Sequence, residues 1–274
     1  MAKQLATLYR TAFVTGASTG LGRAFADMLL AEGVRVWGTA RAAERLAPLV
    51  GERFTPVVLD LKDREGALAA FRAAERAAEG FDLVINNAGY GAFAEFTAVD
   101  FGVWEEQLRV MLVNTAALAH AALPPMIARG RGALVNISSL AAEFPLPFQS
   151  AYNIAKAGLS ALNESLMLEL APTGVVVLDV RPGDYRTDFE GSVRRPQSEF
   201  TPRMERAWRA FEALMSSGPG PAHAAASLRR ALWRRRSGTV RTGRFSQAVL
   251  APFLARFGSL ALKRRLQARY FNVR

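Results

Sequence analysis

Short apolar runs alternate along the chain with longer segments in which apolar residues recur every three or four positions. The runs are Thr11–Thr15, Val34–Thr39, Thr55–Leu59, Leu83–Asn86, Ala133–Ile137 and Val175–Val180. Few polar residues interrupt them, as in strands buried on both faces of a parallel sheet. Between them Leu21–Glu32, Ala42–Val50, Arg64–Ala78, Val103–Arg129 and Gln149–Leu170 have helical composition. Gly33, Gly80, Gly130, Gly132 and Gly174 punctuate the returns from helix to strand. The βαβαβα order predicts an α/β fold, a Rossmann-type doubly wound parallel sheet with helices on both faces. No internal repeat or linker divides residues 1–190, so residues 1–274 read as one domain with its core over 10–190.

Beyond Pro182-Gly183 the pattern changes. Residues 184–222 are polar, with several Pro and Gly and one helical stretch near Arg203–Met215. That composition suits a segment lying over a site. Pro221–Arg236 reads as a helix and Thr239–Phe245 as a last strand. From Leu250 to Tyr270, apolar residues such as Phe253, Phe257 and Leu266 mix with Arg256, Lys263, Arg264, Arg265 and Arg269. One or two amphipathic helices, broken at Gly258, are predicted there. The chain thus continues from its core into a substrate-loop and helical segment, 184–236, and a basic, helical C-terminal extension, 237–274.

Half of the residues are hydrophobic and 22% are charged, enough for a sizeable core. No uninterrupted apolar run reaches the roughly 18 residues that span a bilayer, and Met1–Arg10 is too short and mixed for a secretory signal. Cysteine is absent, which excludes disulfide and thiolate chemistry and fits a cytoplasmic protein. Only His120 and His223 carry imidazole, so no metal site is expected, and His120 reads as a packed helix residue. The net charge of +11 is uneven: residues 213–274 hold 13 Lys/Arg and no Asp/Glu, leaving residues 1–212 at −2. Such a tail is either a solvated face or a surface for an acidic partner, an anionic membrane or nucleic acid. Among these partners we place a membrane surface ahead of nucleic acid.

The candidate chemistry centres on Tyr152-Asn153-Ile154-Ala155-Lys156. A Tyr and a Lys four apart share one helix face. A neighbouring ammonium favours the phenolate and lowers a pKa that ordinarily lies near 10, approximately, so the phenol can trade a proton. Ser139 stands upstream at the end of an apolar run. Gly16-x-x-x-Gly20-x-Gly22 follows the first strand and opens the first helix, where a tight turn and free N–H groups suit a pyrophosphate. Gly38-Thr39-Ala40-Arg41 ends the second strand without an acid. Arg41 there either pairs with a 2′-phosphate, with help from the Thr39 hydroxyl, or is a solvated first-turn residue. NADP(H) is therefore favoured over NAD(H). Asp60 either accepts from the adenine amino group or caps a helix. Asn86-Asn87-Ala88-Gly89 closes the fourth strand on the same sheet edge, where Asn86 lines the site or ties strand ends together.

These pieces resemble the short-chain dehydrogenase/reductase family over roughly residues 10–190. The resemblance rests on T-G-A-S-T-G-L-G at 15–22, D-L at 60–61, N-N-A-G at 86–89, Asn114, Ser139, Y-N-I-A-K and R-P-G at 181–183, in the family's order. It implies an enzyme in which Tyr152 is the acid or base and Lys156 lowers its pKa and holds the nicotinamide ribose. Ser139 would bind the substrate oxygen, and Asn114 a water leading to solvent. It places Gly16, Ser18, Thr19, Gly20, Leu21, Gly22, Asp60, Leu61, Asn87, Ala88, Gly89, Pro182 and Gly183 around the cofactor, with Thr187 at the carboxamide. Tyr185 stands where a small aliphatic residue is usual, beside the nicotinamide ring. The resemblance also implies a homodimer or homotetramer joined through Val103–Arg129 and Gln149–Leu170.

Tyr90, Phe93, Phe96, Leu140, Phe144, Leu146, Phe148, Tyr185, Phe189 and Phe211 occupy the stretches that line the family's substrate pockets. They favour a lipophilic carbonyl or secondary alcohol as substrate. A 3-oxoacyl group on an acidic carrier protein, docked on the tail, is the second enzymatic reading. An NADP-binding regulator or scaffold that holds a polyanion or membrane is the reading of another class.

Overall fold

Parallel strands need crossover connections, and the chain supplies them in the order the pattern predicts. The computed structural model describes residues 4–273. Its elements are β1 (Thr11–Val14), α1 (Gly20–Ala31), β2 (Arg35–Ala40), β3 (Phe54–Val58), α2 (Arg64–Ala77), β4 (Leu83–Asn86), the short β5 (Gly91–Ala92), α3 (Phe101–Leu108), α4 (Asn114–Ala128), β6 (Gly132–Ile137), α5 (Ser150–Glu169), β7 (Val175–Pro182), α6 (Phe189–Ser192), the short β8 (Val193–Arg194), α7 (Pro202–Ser216), α8 (Pro221–Arg234), β9 (Gly238–Thr242), α9 (Ala251–Ala255) and α10 (Leu260–Tyr270). Seven strands form one sheet in the order β3-β2-β1-β4-β6-β7-β9, and every pairing is parallel. The order reverses between β1 and β4, which opens a crevice at their carboxyl ends.

The central strands β1, β4, β6 and β7 are buried on both faces and read as mainly apolar runs, while the edge strands β3 and β9 are partly exposed. Phe25 and Leu29 of α1 share one core with Leu228 and Leu232 of α8. Phe71 of α2, Leu118 of α4 and Ala155 of α5 pack in the other core, on Phe13, Val84 and Val177. Burial of this kind contributes about 25 cal/mol per Å² of apolar surface, and it holds the layers together.

Three details depart from the sequence reading. Ala43–Leu49 is a 3-10 segment with Pro48 inside it rather than an α-helix. Helices α3 and α4 are joined by a π-turn, Arg109–Val113, into one run, Phe101–Ala128. That run is long and apolar enough by composition to cross a membrane, with mean hydropathy 1.5 over its best window. Asn114, Thr115 and His120 punctuate it, so no uninterrupted apolar stretch marks it in the sequence. Half of the window is buried in the fold, against α2, α5, β4 and β6. His120 is exposed on it rather than packed.

The end of the chain returns to the sheet. β9 pairs with β7 from Leu178↔Gly238 to Pro182↔Thr242, and Gly183 donates its N–H to the Thr242 carbonyl. The extension that follows therefore leaves the sheet at the same carboxyl edge as the crevice. Its two helices part around Gly258, as the pattern predicts.

Candidate active site

A cavity of about 1340 Å³ runs along that edge. Its base is the β1–α1 turn. Gly16 and Gly20 have φ of +67° and +57°, a region open to glycine without strain. Thr19 precedes α1 in extended conformation, and its side chain caps no backbone N–H. No acid follows in the first turn. The donors that begin α1 are thus left for a ligand, and the helix dipole favours an anion there. Thr15 holds the facing wall: its hydroxyl accepts from the N–H groups of Asn87 at 2.8 Å and Ala88 at 3.0 Å. The Asn87 amide donates back to the Thr15 carbonyl at 3.0 Å. These features fit a dinucleotide pyrophosphate, and the residues that would hold it are Gly16, Ser18, Thr19, Gly20 and Leu21.

Gly16, Ser18, Thr19, Gly20, Leu21, Thr39, Arg41, Asp60, Leu61, Asn87, Ala88, Gly89, Pro182, Gly183, Tyr185 and Thr187 all border the cavity, as do Ser139, Tyr152 and Lys156. Two expected residues stand behind the wall. A Cβ on Gly22 would lie 2.1 Å from the Gly16 carbonyl oxygen and 2.4 Å from Asn87 Nδ2, so Gly22 exists for close packing of helix on turn. Asn114 is buried, and its amide donates to the Leu61 carbonyl at 2.6 Å. It thereby ties the loop after β3 to the start of α4.

Other roles are also redistributed. The Thr39 hydroxyl accepts from Gly16 N–H at 3.2 Å, inside the turn rather than out toward a 2′-phosphate. Asp60 accepts from Lys62 N–H at 2.9 Å, while Asp63 caps α2. Asn86, Asn136 and Asn163 form a buried amide ladder at 2.8 and 2.6 Å that locks β4, β6 and α5 together. Tyr185 borders the cavity and is also anchored behind it. Its ring enters the core shared by α1 and α8, and its hydroxyl lies 2.8 Å from His223 Nδ1. A phenol buried this far needs partners, and the loop after β7 turns its hydroxyl toward them while the residue still borders the cavity.

Ser139, Tyr152 and Lys156 converge. Lys156 Nζ donates to the Ile137 carbonyl at 2.7 Å and lies 5.6 Å from the Tyr152 ring centroid. Gly89 leaves room beside it, since a Cβ there would come within 3.8 Å of Nζ. Burial pushes the Tyr152 phenol up to about 12, a hydrogen bond from Ser139 pulls it back in part, and the Asp184 carboxylate adds to the rise. Burial also pulls Lys156 down to about 8, against the Asp179 carboxylate, which supports its charge. Desolvation therefore dominates the phenol in this state, and the ammonium contributes no lowering to it. Ser138 is turned the other way, donating to buried Asp179, which also pairs with Arg181 at 2.7 Å.

Part of the aromatic set lines the space: Tyr90, Phe144, Phe189 and Phe211, with Leu140 and Leu146. Phe189 lies 5.9 Å from the Tyr152 ring. Phe93 and Phe148 pack in a separate cluster with Trp208, and Phe96 stacks on Trp104. The sequence did not reveal the opposite wall, which the extension builds from Leu254, Phe257, Leu262, Leu266 and Tyr270. Tyr270 and Gln247 both bond the Asp184 carboxylate, Lys263 reaches the Glu143 carbonyl, and Gln267 bonds the Pro145 carbonyl. The apolar spacing of 250–270 was the available signal. Its location required the β7–β9 pairing.

Known proteins share this fold. The family model for short chain dehydrogenase matches residues 10–198. An uncharacterized oxidoreductase of Myxococcus xanthus is 38% identical over 69% of this chain and 77% of its own. A short-chain dehydrogenase from Streptomyces avermitilis superposes with a TM-score of 0.82 at 32% identity, covering 90% of this chain and 93% of that one. Another, from Burkholderia cenocepacia and in complex with NADP, does so with a TM-score of 0.73 at 28% identity over 96% and 98%. Solved relatives hold NAD as well as NADP. With glycine turn, Ser139, Tyr152 and Lys156 gathered on one sheet edge, the chain belongs to the short-chain dehydrogenase/reductase family and is an NAD(P)-dependent oxidoreductase acting on CH–OH groups.

Proposed function

We propose that the protein uses NADP(H) to interconvert a carbonyl and a secondary alcohol on a lipophilic molecule. The observation that carries this reading is the meeting of Ser139, Tyr152 and Lys156 with apolar walls in one cavity. The cofactor, when bound, supplies or accepts the hydride. The protein's part is to place the substrate oxygen and move a proton. A phenol held up near 12 stays protonated at neutral pH, ready to give its proton to a carbonyl oxygen. The Ser139 hydroxyl, buried at the cavity wall, is placed to steady the charge developing on that oxygen. Lys156, still charged at neutral pH with its pKa at about 8, would hold ribose hydroxyls and ease proton return.

The cofactor choice rests on Arg41 and Arg45, which border the cavity at the end of β2 where no acid stands. Calorimetry of NADPH against NADH tests it. NADPH is expected to bind more tightly, and Arg41→Ala to weaken it about 10- to 100-fold with NADH unchanged. Equal or tighter NADH binding overturns the NADP assignment. NADPH oxidation with a panel of lipophilic ketones then reads the substrate class, and activity confined to charged sugars or acyl thioesters overturns that part.

The family's usual assembly is proposed as well. Exposed Phe101, Val113, Ile154 and Leu168 leave apolar surface on α3 to α5 for a second copy. Light scattering that gives one chain mass at micromolar concentration refutes it.

A further inference from the structure

The cavity wall made by the extension has an outer side. Phe245 and Phe253 project there, exposed by 71 and 57%, and Phe257, at the cavity rim, is exposed by 78%. Phe253 and Phe257 are in edge contact at 5.4 Å, and Val249, Leu250 and Leu260 surround them in the sequence and are also exposed. Arg256, just after α9, and Arg264 of α10 are exposed beside them. Residues 213–274 contain 13 cationic side chains and no carboxylate side chain. Protruding aromatic rings interleaved with guanidinium groups suit the plane of an anionic lipid surface, where the rings enter the acyl boundary and the cations meet headgroups.

The inner side of these helices is Ala251, Leu254, Ala255 and Leu262, which face the cavity. Apolar surface therefore continues from outside the molecule into the substrate space. A second copy set face to face would bring like charges together, and a nucleic acid would leave the exposed leucines and valine in water.

We infer that the outer face of α9 and α10 docks the cavity mouth on an anionic membrane, so that a lipophilic substrate enters from the bilayer. This rests on the lipophilic-substrate reading for its purpose, but not for its test. The full chain is floated with vesicles of equimolar phosphatidylglycerol and phosphatidylcholine, and with phosphatidylcholine vesicles. Capture is expected on the anionic vesicles, falling as salt is raised. Phe245→Ser/Phe253→Ser and Arg256→Glu/Arg264→Glu are each expected to weaken capture at least about tenfold, while NADPH binding by calorimetry persists. None of these four residues borders the cavity.

No capture by anionic vesicles, or capture indifferent to both variants, overturns the inference. So does retention on duplex DNA without vesicle capture. A loss of self-association in the Phe variant without any vesicle capture also overturns it, and assigns the face to a second copy. A chain that floats yet binds neither NADPH nor NADH keeps lipid docking and sinks the proposed function. The reverse result sinks only the docking.

Discussion

Tyr185 Oη lies 2.6 Å from Thr242 Oγ1, so a side chain just after β7 is fastened to the last residue of β9. Thr242 in turn donates to Ser227 of α8 at 3.1 Å. The loop that carries Thr187 over the glycine turn is thus held by the C-terminal third of the chain. Tyr185→Phe keeps the ring in the core and removes the shared hydroxyl. It is expected to cost about 1–2 kcal/mol in urea unfolding and to leave the KM for NADPH within twofold, approximately. A large rise in KM without loss of stability would return Tyr185 to the nicotinamide.

Two adjacent serines at the end of β6 do different work. Ser138 supports Asp179, which is fully buried. Ser139 accepts from Ala141 N–H at 3.0 Å and faces Tyr152. Ser138→Ala should cost about 1–3 kcal/mol of stability, because a buried carboxylate loses a donor. Its kcat should change little. Ser139→Ala should lower kcat about 10²- to 10³-fold with a small stability loss. Measuring both parameters on both variants checks the assignment, and the reverse pattern would exchange the two serines.

Most of the fold was legible because its signals are local. A strand buried on both faces is mainly apolar, and Val175–Val180 could be read as one despite the buried, paired Asp179. The glycine turn was legible as well, since Gly16 and Gly20 occupy backbone that other residues avoid. Side-chain direction was not. Tyr185 was expected at the cofactor because position in a motif says nothing of His223 and Thr242, 38 and 57 residues away. Gly22 was expected to meet the cofactor, while its neighbours are the Gly16 carbonyl and Asn87. The extension's amphipathic pattern was visible, but a pattern does not name the surface that its apolar side will cover. That depended on β9 adding to the edge of the sheet.

Gly22→Ala tests the packing account of the glycine motif. The added methyl would meet the Gly16 carbonyl oxygen at 2.1 Å, a backbone atom that cannot swing aside. Either α1 backs away from the turn or the turn opens, and both disturb the donors aimed at the pyrophosphate. We expect a loss of about 1–3 kcal/mol, the usual cost of overpacking, together with at least about tenfold weaker NADPH binding. Gly51→Ala, where a Cβ would come no nearer than 4.0 Å to a neighbour, is the matched control and should be close to neutral. Differential scanning calorimetry with and without NADPH separates the two effects.

Lys156 gives a prediction whose sign depends on pH. Burial lowers it from 10.5 to about 8, so the fold disfavours the charged ammonium. Between those values the unfolded chain binds more protons than the folded one, and stability rises with pH across that window. Below about 8 the cost of the buried charge is present in full, with a ceiling of about 3 kcal/mol. It is gone above the unfolded value. Lys156→Met fills the same space without a charge. At pH 7, in the absence of cofactor, it should therefore raise stability by about 1–2 kcal/mol, after allowing for the lost hydrogen bond to Ile137. The gain should shrink as pH approaches 10. Activity should vanish at every pH, because the group that meets the ribose and steadies the phenolate is gone. Urea unfolding of both proteins from pH 6 to 10 reads this directly. A variant that is less stable at pH 7, or a gap that widens with pH, would show that Asp179 compensates the buried ammonium more than desolvation penalises it.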